Sequence, residues 1–522
     1  MTPARMQTLK ATAHIPWTIK PLYGLLSDNV PICGLRRKPY LFLFSATGAV
    51  AYLLLAWPAA TAGSALCATA WLFLSNFSTA ATDVVIDARV VEEARKEPAS
   101  GAGDLQSLSW TALSIGGFLG TALGGVAYTR WGPSPIFVLS AIMPLVVACL
   151  APLMREDKET NAQGKGNDNG KGKGGRKGGR RRRGKKGKGR GRAPTRCAGV
   201  RAQLRLLWRA VRNPLIWKPS LWVFLSQAMG IGLWDVFFFY YTGCDPETNQ
   251  PAANATAAAG AEAAADGMPA CCAADVAQQQ SAEGGSGLRW YEAGPPRADP
   301  TCPLAFDAEF LSLLGVVGYL ALAGGTVVYN ARLKQLPFRT VFFWAQAAYA
   351  LCTSTDLLLV TGFNRRVGIP DKAFMFAGEV LTDVVGRFKS MPQLVLAAKL
   401  CPPGIEGTLF ALLMSVSNGS YDVAGYLGAA AASWAGVGKD NFDNLWLLVA
   451  VRTVGMLVPL VLLPALVPAF DPQELIAKSM EDVEGSSSSG ESDGGEEGGE
   501  DDGDEDEDDG DLELAPLTSN RR

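Results

Sequence analysis

The chain has 522 residues, of which 48% are hydrophobic and 19% are charged. Its formal net charge of -2 is a cancellation, because residues 165–192 hold 14 basic residues against one acid while residues 481–513 hold 18 acids and no base. The sequence shows no nucleophile triad, metal-ligand spacing or phosphate-binding loop, so it gives no support to an enzyme, a cofactor or a metal site.

Long apolar runs dominate the rest of the chain. A helix crosses the bilayer core with about 20 residues, and backbone groups in lipid must be satisfied within each segment. Because the runs lack the strict alternation of barrel strands, we predict an all-α membrane protein. Its eleven expected spans lie at about 9–27, 41–60, 65–86, 106–128, 134–154, 219–241, 308–330, 338–361, 373–396, 406–434 and 443–468.

A charge-dense turn separates the first two runs, within residues 16–41, PWTIKPLYGLLSDNVPICGLRRKPYL. Asp28 closes one helix, Gly34 permits a tight turn, and the basic residues 36–38 precede the next helix. Such an excess of positive charge is typical of an inner loop. A second short basic turn, at 329–339, has the same place in the order of spans, which favours two repeated halves.

The turn within residues 16–41 resembles the loop after the second span of major facilitator superfamily transporters. The likeness lies in the Gly-x-x-x-Asp run, the following Gly and the paired basic residues. The surrounding string is similar to one branch, the folate-biopterin transporter family. The likeness continues in DVVID at 83–87, LQSLSW at 105–110, TGFNRRVGI at 361–369 and residues 391–419. It implies a superfamily bundle with spans 2–6 in 1–154, a basic linker at 155–217, spans 7–12 in 218–470 with an insert at 244–302, and an acidic tail at 471–522.

Sidedness follows from counting crossings outward from the basic linker, which we expect in the cytoplasm. The insert 244–302 then lies outside, the acidic tail lies inside and Met1 lies outside. A twelve-span member of the superfamily has both termini inside. We therefore expect that the first of twelve helices is missing before Met1, leaving eleven.

The insert carries signs of an exterior compartment. Asn254 begins an Asn-Ala-Thr glycosylation sequon, and Cys244, Cys271, Cys272 and Cys302 allow three pairings and one or two disulfides. A glycan on Asn254 would exclude direct import into a plastid envelope. The plastid envelope and the plasma membrane or endomembranes both stay open as locations.

The basic linker and the acidic tail are expected to be disordered. Because the linker lies between two spans, we predict that it is attracted to anionic lipid headgroups and not to nucleic acid.

Chemistry is expected from ionisable residues within the spans, since a charge in hydrocarbon is costly. Asp83 and Asp87 are four residues apart and share a helix face. Two close carboxylates do not readily ionise together, which favours a site for substrate and for a coupled proton. The alternative is that they form structural ion pairs with Arg89 or Lys20.

The resemblance implies roles for further residues. A pterin edge suits a carboxylate, its flat face suits aromatic stacking, and the anionic tail of folate requires a cation. We favour Arg387 over Lys389 for that cation, because Lys389 lies nearer the inner end and can extend to the interface. The expected substrate contacts are Asp83, Asp87, Gln106, Glu379, Asp383 and Arg387, and the expected gating residues are Asp28, Arg36 and Arg37.

Two further predictions concern packing. Small residues on one helix face allow close helix approach, and span five holds such residues at Gly116, Gly117, Gly120, Gly124 and Gly125. The single histidine, His14, is expected near the membrane interface.

The function that the resemblance implies is secondary transport of folates or other pteridines, coupled to protons, in a lipid bilayer. Two alternatives stay open. One is a transporter of another metabolite such as S-adenosylmethionine. The other is a transport-inactive membrane scaffold whose charged segments recruit partners.

Overall fold

The computed structural model describes residues 1–61, 63–94, 101–156, 207–208, 211–243, 302–304, 306–333, 335–399, 406–439 and 441–467. Within these ranges, the side chains of 90–94, 101–111, 129, 215, 394–395, 397–399 and 406–408 are not described. The regular structure of the described residues is helical, apart from one isolated β-bridge between Ile32 and Leu35.

The N-terminal half consists of long helices joined by short turns. They are α1 Pro3–His14, α2 Lys20–Asn29, α3 Lys38–Ala56, α4 Ala65–Ala94, α5 Gly101–Trp131 and α6 Pro133–Leu150, with a short helix at Pro58–Thr61. A 3-10 turn at Ile15–Trp17 separates α1 from α2. Pro21 lies at the start of α2, and it interrupts the helical ladder because proline has no backbone N–H to donate.

The C-terminal half is also helical over its described residues. Its long helices are α7 Pro214–Ala228, α8 Trp234–Thr242, α9 Ala308–Val328, α10 Phe338–Ser354, α11 Asp371–Lys399, α12 Glu406–Trp434 and α13 Leu445–Leu466, with short helices at Asp356–Val360 and Phe363–Arg366.

The apolar run 219–241 is not the single helix that its composition predicts. It breaks between α7 and α8, across residues 229–233. Gly230 and Gly232 lie in this break, and a glycine is costly in a helix interior. The backbone groups freed by the break are bound by neighbours, since Gly232 N–H donates to the carbonyl of Ala424 at 2.8 Å.

Helices are present in all eleven predicted runs over their described residues, which confirms the all-α membrane fold. By length and apolar composition, four of the described helical segments could cross a membrane: Lys38–Ala56, Pro133–Leu153, Ala308–Leu333 and Leu445–Leu466. Helices such as α4 and α11 carry several charged residues. These charged helices therefore supply the polar interior.

The bundle is apolar outside and charged inside, the reverse of a water-soluble protein. Its exposed side chains include Leu113, Leu119, Met143, Val454 and Val461. Its buried side chains include Lys20, Asp235, Arg387, Lys389, Asp422 and Arg452. This arrangement suits a lipid exterior and a polar path within.

Each half has its own apolar core, and the halves are joined by packing of α5 on α9, of α1 and α2 on α12, and of α1 on α8. In the first half Tyr40, Phe44 and Val85 are buried together where α3 packs on α4. In the second half a larger cluster surrounds α8, with Tyr240 and Phe442 fully buried. The site described next lies beside the contact of α1 with α12.

Candidate functional site

The first buried charge pair lies in the N-terminal half. Lys20 Nζ donates to Asp83 Oδ2 at 2.5 Å and lies 4.5 Å from the ring centroid of Trp17. The Lys20 side chain is 9% exposed and the Asp83 side chain is 41% exposed. Asp87, one turn along α4, is exposed. The sequence allowed either a pair of carboxylates at Asp83 and Asp87 or an ion pair of Asp83 with Lys20. The structure contains the ion pair.

Helix α11 presents two different polar faces. Glu379, Asp383 and Arg387 are spaced four apart, so they form one stripe along the helix. This stripe faces α9: a Cβ built on Gly318 would collide with the Asp383 carboxylate, and one on Gly325 would lie 3.1 Å from Arg387 Cβ. The glycines of α9 therefore make room for the charged stripe.

The other face of α11 borders a cavity of about 240 Å³. Lys389 lies there and is only 4% exposed. Its ammonium donates to the backbone oxygen of Ser226 at 2.8 Å and to Gln227 Oε1 at 3.2 Å, and it lies 5.2 Å from the Tyr349 ring centroid. The expectation that Lys389 extends to the membrane interface is therefore wrong. Packing against the end of α7 holds it inside.

The cavity is formed by the break between α7 and α8. The residues 230–234 line one side, and Gly386, Lys389, Ser390 and Gln393 line the side formed by α11. Trp234 stacks on Tyr421 with ring centroids 4.0 Å apart. Stacked aromatic rings offer a flat, apolar wall to a flat ligand.

The wall of the cavity continues into the contact between the halves. His14 Nδ1 lies 2.6 Å from Asp422 Oδ1, and Thr18 Oγ1 donates to Asp422 Oδ2 at 2.6 Å. The His14 ring lies 5.7 Å from that of Tyr421. His14 is therefore a link between α1 and α12.

Two more ties join α1 to the C-terminal half. Lys10 Nζ donates to Asp235 Oδ1 at 2.5 Å, and the Asp235 side chain is 3% exposed. Gln7 Nε2 donates to the carbonyl oxygens of Gly232 and of Gly425, the latter at 2.7 Å. Gln7 is buried, so its bonds are shielded from competing water. In the ion pair only Asp235 is buried, since the Lys10 side chain is 55% exposed.

A further charge pair supports the cavity from α13. Arg452 Nη2 donates to Asp356 Oδ2 at 2.5 Å and to the carbonyl oxygen of Thr353 at 2.7 Å. Its guanidinium carbon lies 5.3 Å from the Phe237 ring centroid. The positive charge of Arg452 is therefore already matched within the protein.

The expected gating residues meet at the turn between α2 and α3. Cys33 and Gly34 both have positive φ, at 54° and 76°, which confirms the predicted tight turn. Arg37 is buried, and its Nη2 lies 2.8 Å from Asp28 Oδ1. Arg36 has an exposed side chain.

Glu156 completes this turn. Its Oε1 accepts the backbone N–H groups of Arg36 at 2.7 Å and Arg37 at 2.8 Å, and its Oε2 accepts that of Lys38 at 2.9 Å. A carboxylate at a helix N-terminus satisfies orphan N–H groups and complements the helix dipole. Glu156 therefore ties the chain after α6 to the start of α3.

In the second half, a basic side chain joins the end of the last helix to the start of an earlier one. Arg339, at the start of α10, donates through Nε to the carbonyl oxygen of Val467 at 3.0 Å and through Nη2 to that of Pro464 at 3.0 Å. Each half thus joins the end of its last helix to the start of an equivalent earlier helix.

The sequence pattern of the BT1 family matches residues 1–483. The chain belongs to the BT1 family. The Folate-biopterin transporter of Synechocystis sp. is 31% identical over 482 residues, covering 92% of this chain and 78% of that protein. Probable folate-biopterin transporter 4 of Arabidopsis thaliana is 30% identical over 491 residues, covering 89% of this chain and 88% of the relative.

The fold agrees with this membership. A crystal structure of a D-xylose-proton symporter matches with a TM-score of 0.52 and 13% identity, covering 90% of each chain. At that identity the likeness concerns the fold, which is the helical bundle of the major facilitator superfamily. The resemblance predicted from the sequence is thus confirmed. This BT1 family member is an integral membrane protein of a transporter family with small-molecule substrates.

Several predicted sites of this BT1 family member lie outside the described residues. They are the side chain of Gln106, the sequon at Asn254, residues 157–206 of the basic linker and the acidic tail. Residues 214–217, which the sequence placed in the linker, are instead the start of α7. Cys302, at the end of the insert, is disulfide-bonded, in agreement with the predicted stapling of that segment.

Sequence reasoning missed Glu156, Asp422, and the aromatic pair of Trp234 and Tyr421. Asp422 and its partner His14 are 408 residues apart in the sequence. For Glu156 a signal was available, namely an acid just after a span, on the same side as a basic turn.

Proposed function

We propose that this BT1 family member is a secondary active transporter of folates or other pteridines coupled to protons. The observation that carries the proposal is the cavity at the broken helix, with the stacked Trp234 and Tyr421 beside the contact between the halves. Broken helices at the repeat interface are where secondary transporters bind substrate. A pteridine is flat and aromatic, so it suits a stacked aromatic wall.

In this proposal the substrate bridges the two halves. The proposed substrate contacts outside the cavity are Asp83, Asp87 and Gln106 from the N-terminal half and Glu379, Asp383 and Arg387 from the C-terminal half. A carboxylate can accept two hydrogen bonds from the 2-amino-4-oxo edge of a pterin. The coupled proton is assigned to Asp83 and Asp87, with Lys20 competing for Asp83 through the observed ion pair.

The turn between α2 and α3 is the proposed inner gate. Asp28 and Arg37 are paired there, and Arg36 lies beside them. The pair and the Glu156 tie hold the start of α3 in one position. Rearrangement of this turn would accompany opening and closing of the inner face. The basic linker is proposed to bind anionic lipid headgroups on the same side.

Uptake into proteoliposomes containing the full chain tests the proposed function. Labelled folate, biopterin and S-adenosylmethionine are each offered with and without an inward proton gradient. We expect uptake of folate or biopterin that rises with the gradient and falls when a protonophore removes it. Liposomes without protein are the control.

Other outcomes of the same assay would replace the proposal. Uptake of S-adenosylmethionine alone would indicate a different substrate class. Uptake of a pteridine that ignores the gradient would remove proton coupling. No uptake of any of the three would favour the inactive scaffold.

A further inference from the structure

Lys389 differs from the other buried lysine in the described part of the chain. Lys20 is paired with the carboxylate of Asp83. Lys389 is hydrogen-bonded to a backbone oxygen and to an amide oxygen, and no carboxylate of the described residues pairs with it. A buried charge without an opposite partner is costly. A ligand carboxylate in the cavity would supply the missing negative charge.

The ammonium has a donor left for such a ligand. A lysine ammonium has three N–H donors, and two are occupied by Ser226 and Gln227. Lys389 lines the cavity, as do Trp234 and Tyr421. A ligand in the cavity thus meets a flat aromatic pair and a desolvated cation.

The lining residues of the cavity include no acid. Arg452 is the other cation among them, and its charge is matched by Asp356. The acids of α11 lie in the stripe that faces α9, with Asp383 against Gly318. The cavity therefore suits an aromatic ligand that carries an anionic group.

We propose that Lys389 binds the carboxylate of the substrate and makes the site selective for pteridines that carry one. This inference rests on the proposed function. Folates end in a glutamate with negative charge, whereas biopterin has the same ring system without a carboxylate. Lys389 therefore discriminates between conjugated and unconjugated pteridines, and Arg387, on the other face of α11, does not.

The test is uptake of folate and of biopterin by the full-length chain with Lys389→Gln. A charge-assisted hydrogen bond removed from a buried site costs about 10- to 100-fold in affinity. We expect the KM for folate to rise by about that factor while the KM for biopterin changes less than about threefold. Lys389→Arg keeps the charge and should restore at least part of the folate uptake.

Matched controls separate this role from a structural one. Glutamine can still donate to the carbonyl oxygen of Ser226, so a purely structural lysine would leave the ratio of folate to biopterin uptake unchanged. Lys372→Gln changes another lysine of α11, one paired with Asp307 at 3.0 Å, and should leave that ratio as in the wild type. Biopterin uptake by Lys389→Gln shows that the variant folds.

The outcomes distinguish this inference from the proposed function. Equal loss of folate and biopterin uptake, or loss of neither, overturns the role of Lys389 while the transport function stands. If the wild-type chain moves neither pteridine, the proposed function fails. In that case the melting temperatures of the purified wild-type chain and of Lys389→Gln are measured with and without folate. The comparison tests whether Lys389 binds the carboxylate of folate. Stabilisation that Lys389→Gln abolishes supports this binding, and stabilisation that is absent or the same in both overturns it.

Discussion

At the scale of single residues, the charges inside this BT1 family member are divided between those already matched and those kept for a ligand. Lys20, Arg37 and Arg452 each lie beside a carboxylate of their own half. Lys389 does not. Because an unmatched buried charge is destabilising, its presence in a cavity wall is better explained by binding than by folding.

Glu156 illustrates how one residue fixes the turn between α2 and α3. We expect Glu156→Ala to destabilise the protein by about 1–2 kcal/mol, because three N–H groups at the start of α3 lose their acceptor. Thermal unfolding in detergent measures the change. Glu156→Gln should lose only part of this stability, and Asp443→Ala, at an exposed position, should have little effect. Equal melting temperatures for Glu156→Ala and the wild type would contradict the stabilising role of Glu156 at the start of α3.

At the scale of helices, the glycines of α5 separate into contacting and exposed positions. A Cβ on Gly117 would collide with Tyr319, and one on Gly125 with Ser312, both on α9. Gly116, Gly120 and Gly124 have open space instead. The predicted close approach is thus confirmed for two glycines that are two helical turns apart, and the other three do not take part in it.

This division gives a paired prediction. We expect Gly125→Ala to destabilise the protein by about 1–3 kcal/mol, because the added methyl overpacks the contact with α9. Gly124→Ala, on the neighbouring position, should be neutral or stabilising by up to about 1 kcal/mol, since alanine favours the helix. Melting temperatures of the two variants in detergent provide the comparison. A larger loss of stability for Gly124→Ala than for Gly125→Ala would contradict the contact of Gly125 with α9.

At the scale of the whole molecule, α1 fastens the N-terminal half to the C-terminal half. Lys10, Gln7 and His14 lie along α1, and their partners lie on α8, in the break before it and on α12. Rocking of the halves against each other must break these ties.

Loss of one tie should open this contact. We expect Asp235→Asn to raise the maleimide labelling of Ala11→Cys in detergent by about fivefold, the factor for a tie worth about 1 kcal/mol. Ala11 is buried on α1 and lies against Gly425 of α12. Asp307→Asn, which breaks an ion pair inside the C-terminal half, is the control. The same rise with this control would mean general loosening instead of opening between the halves.

The sequence by itself determined the helical spans, the tight turn after α2 and the family. These depend on features local to the chain: the length of an apolar run, glycine at a positive φ, and the order of residues in a motif. The stripe at Glu379, Asp383 and Arg387 was also readable, because spacing of four places residues on one helix face.

Only the tertiary structure decided which neighbouring helix or cavity each helix face contacts. The spacing of Arg387 and Lys389 shows that they point in different directions, but not which direction leads to the cavity. That choice is set by how α11 packs against α9 and α10, which brings Lys389 to the end of α7. Likewise, His14 and Asp422 become partners only when α1 packs on α12. Helix rotation and pairing depend on contacts between distant segments, which no local pattern specifies.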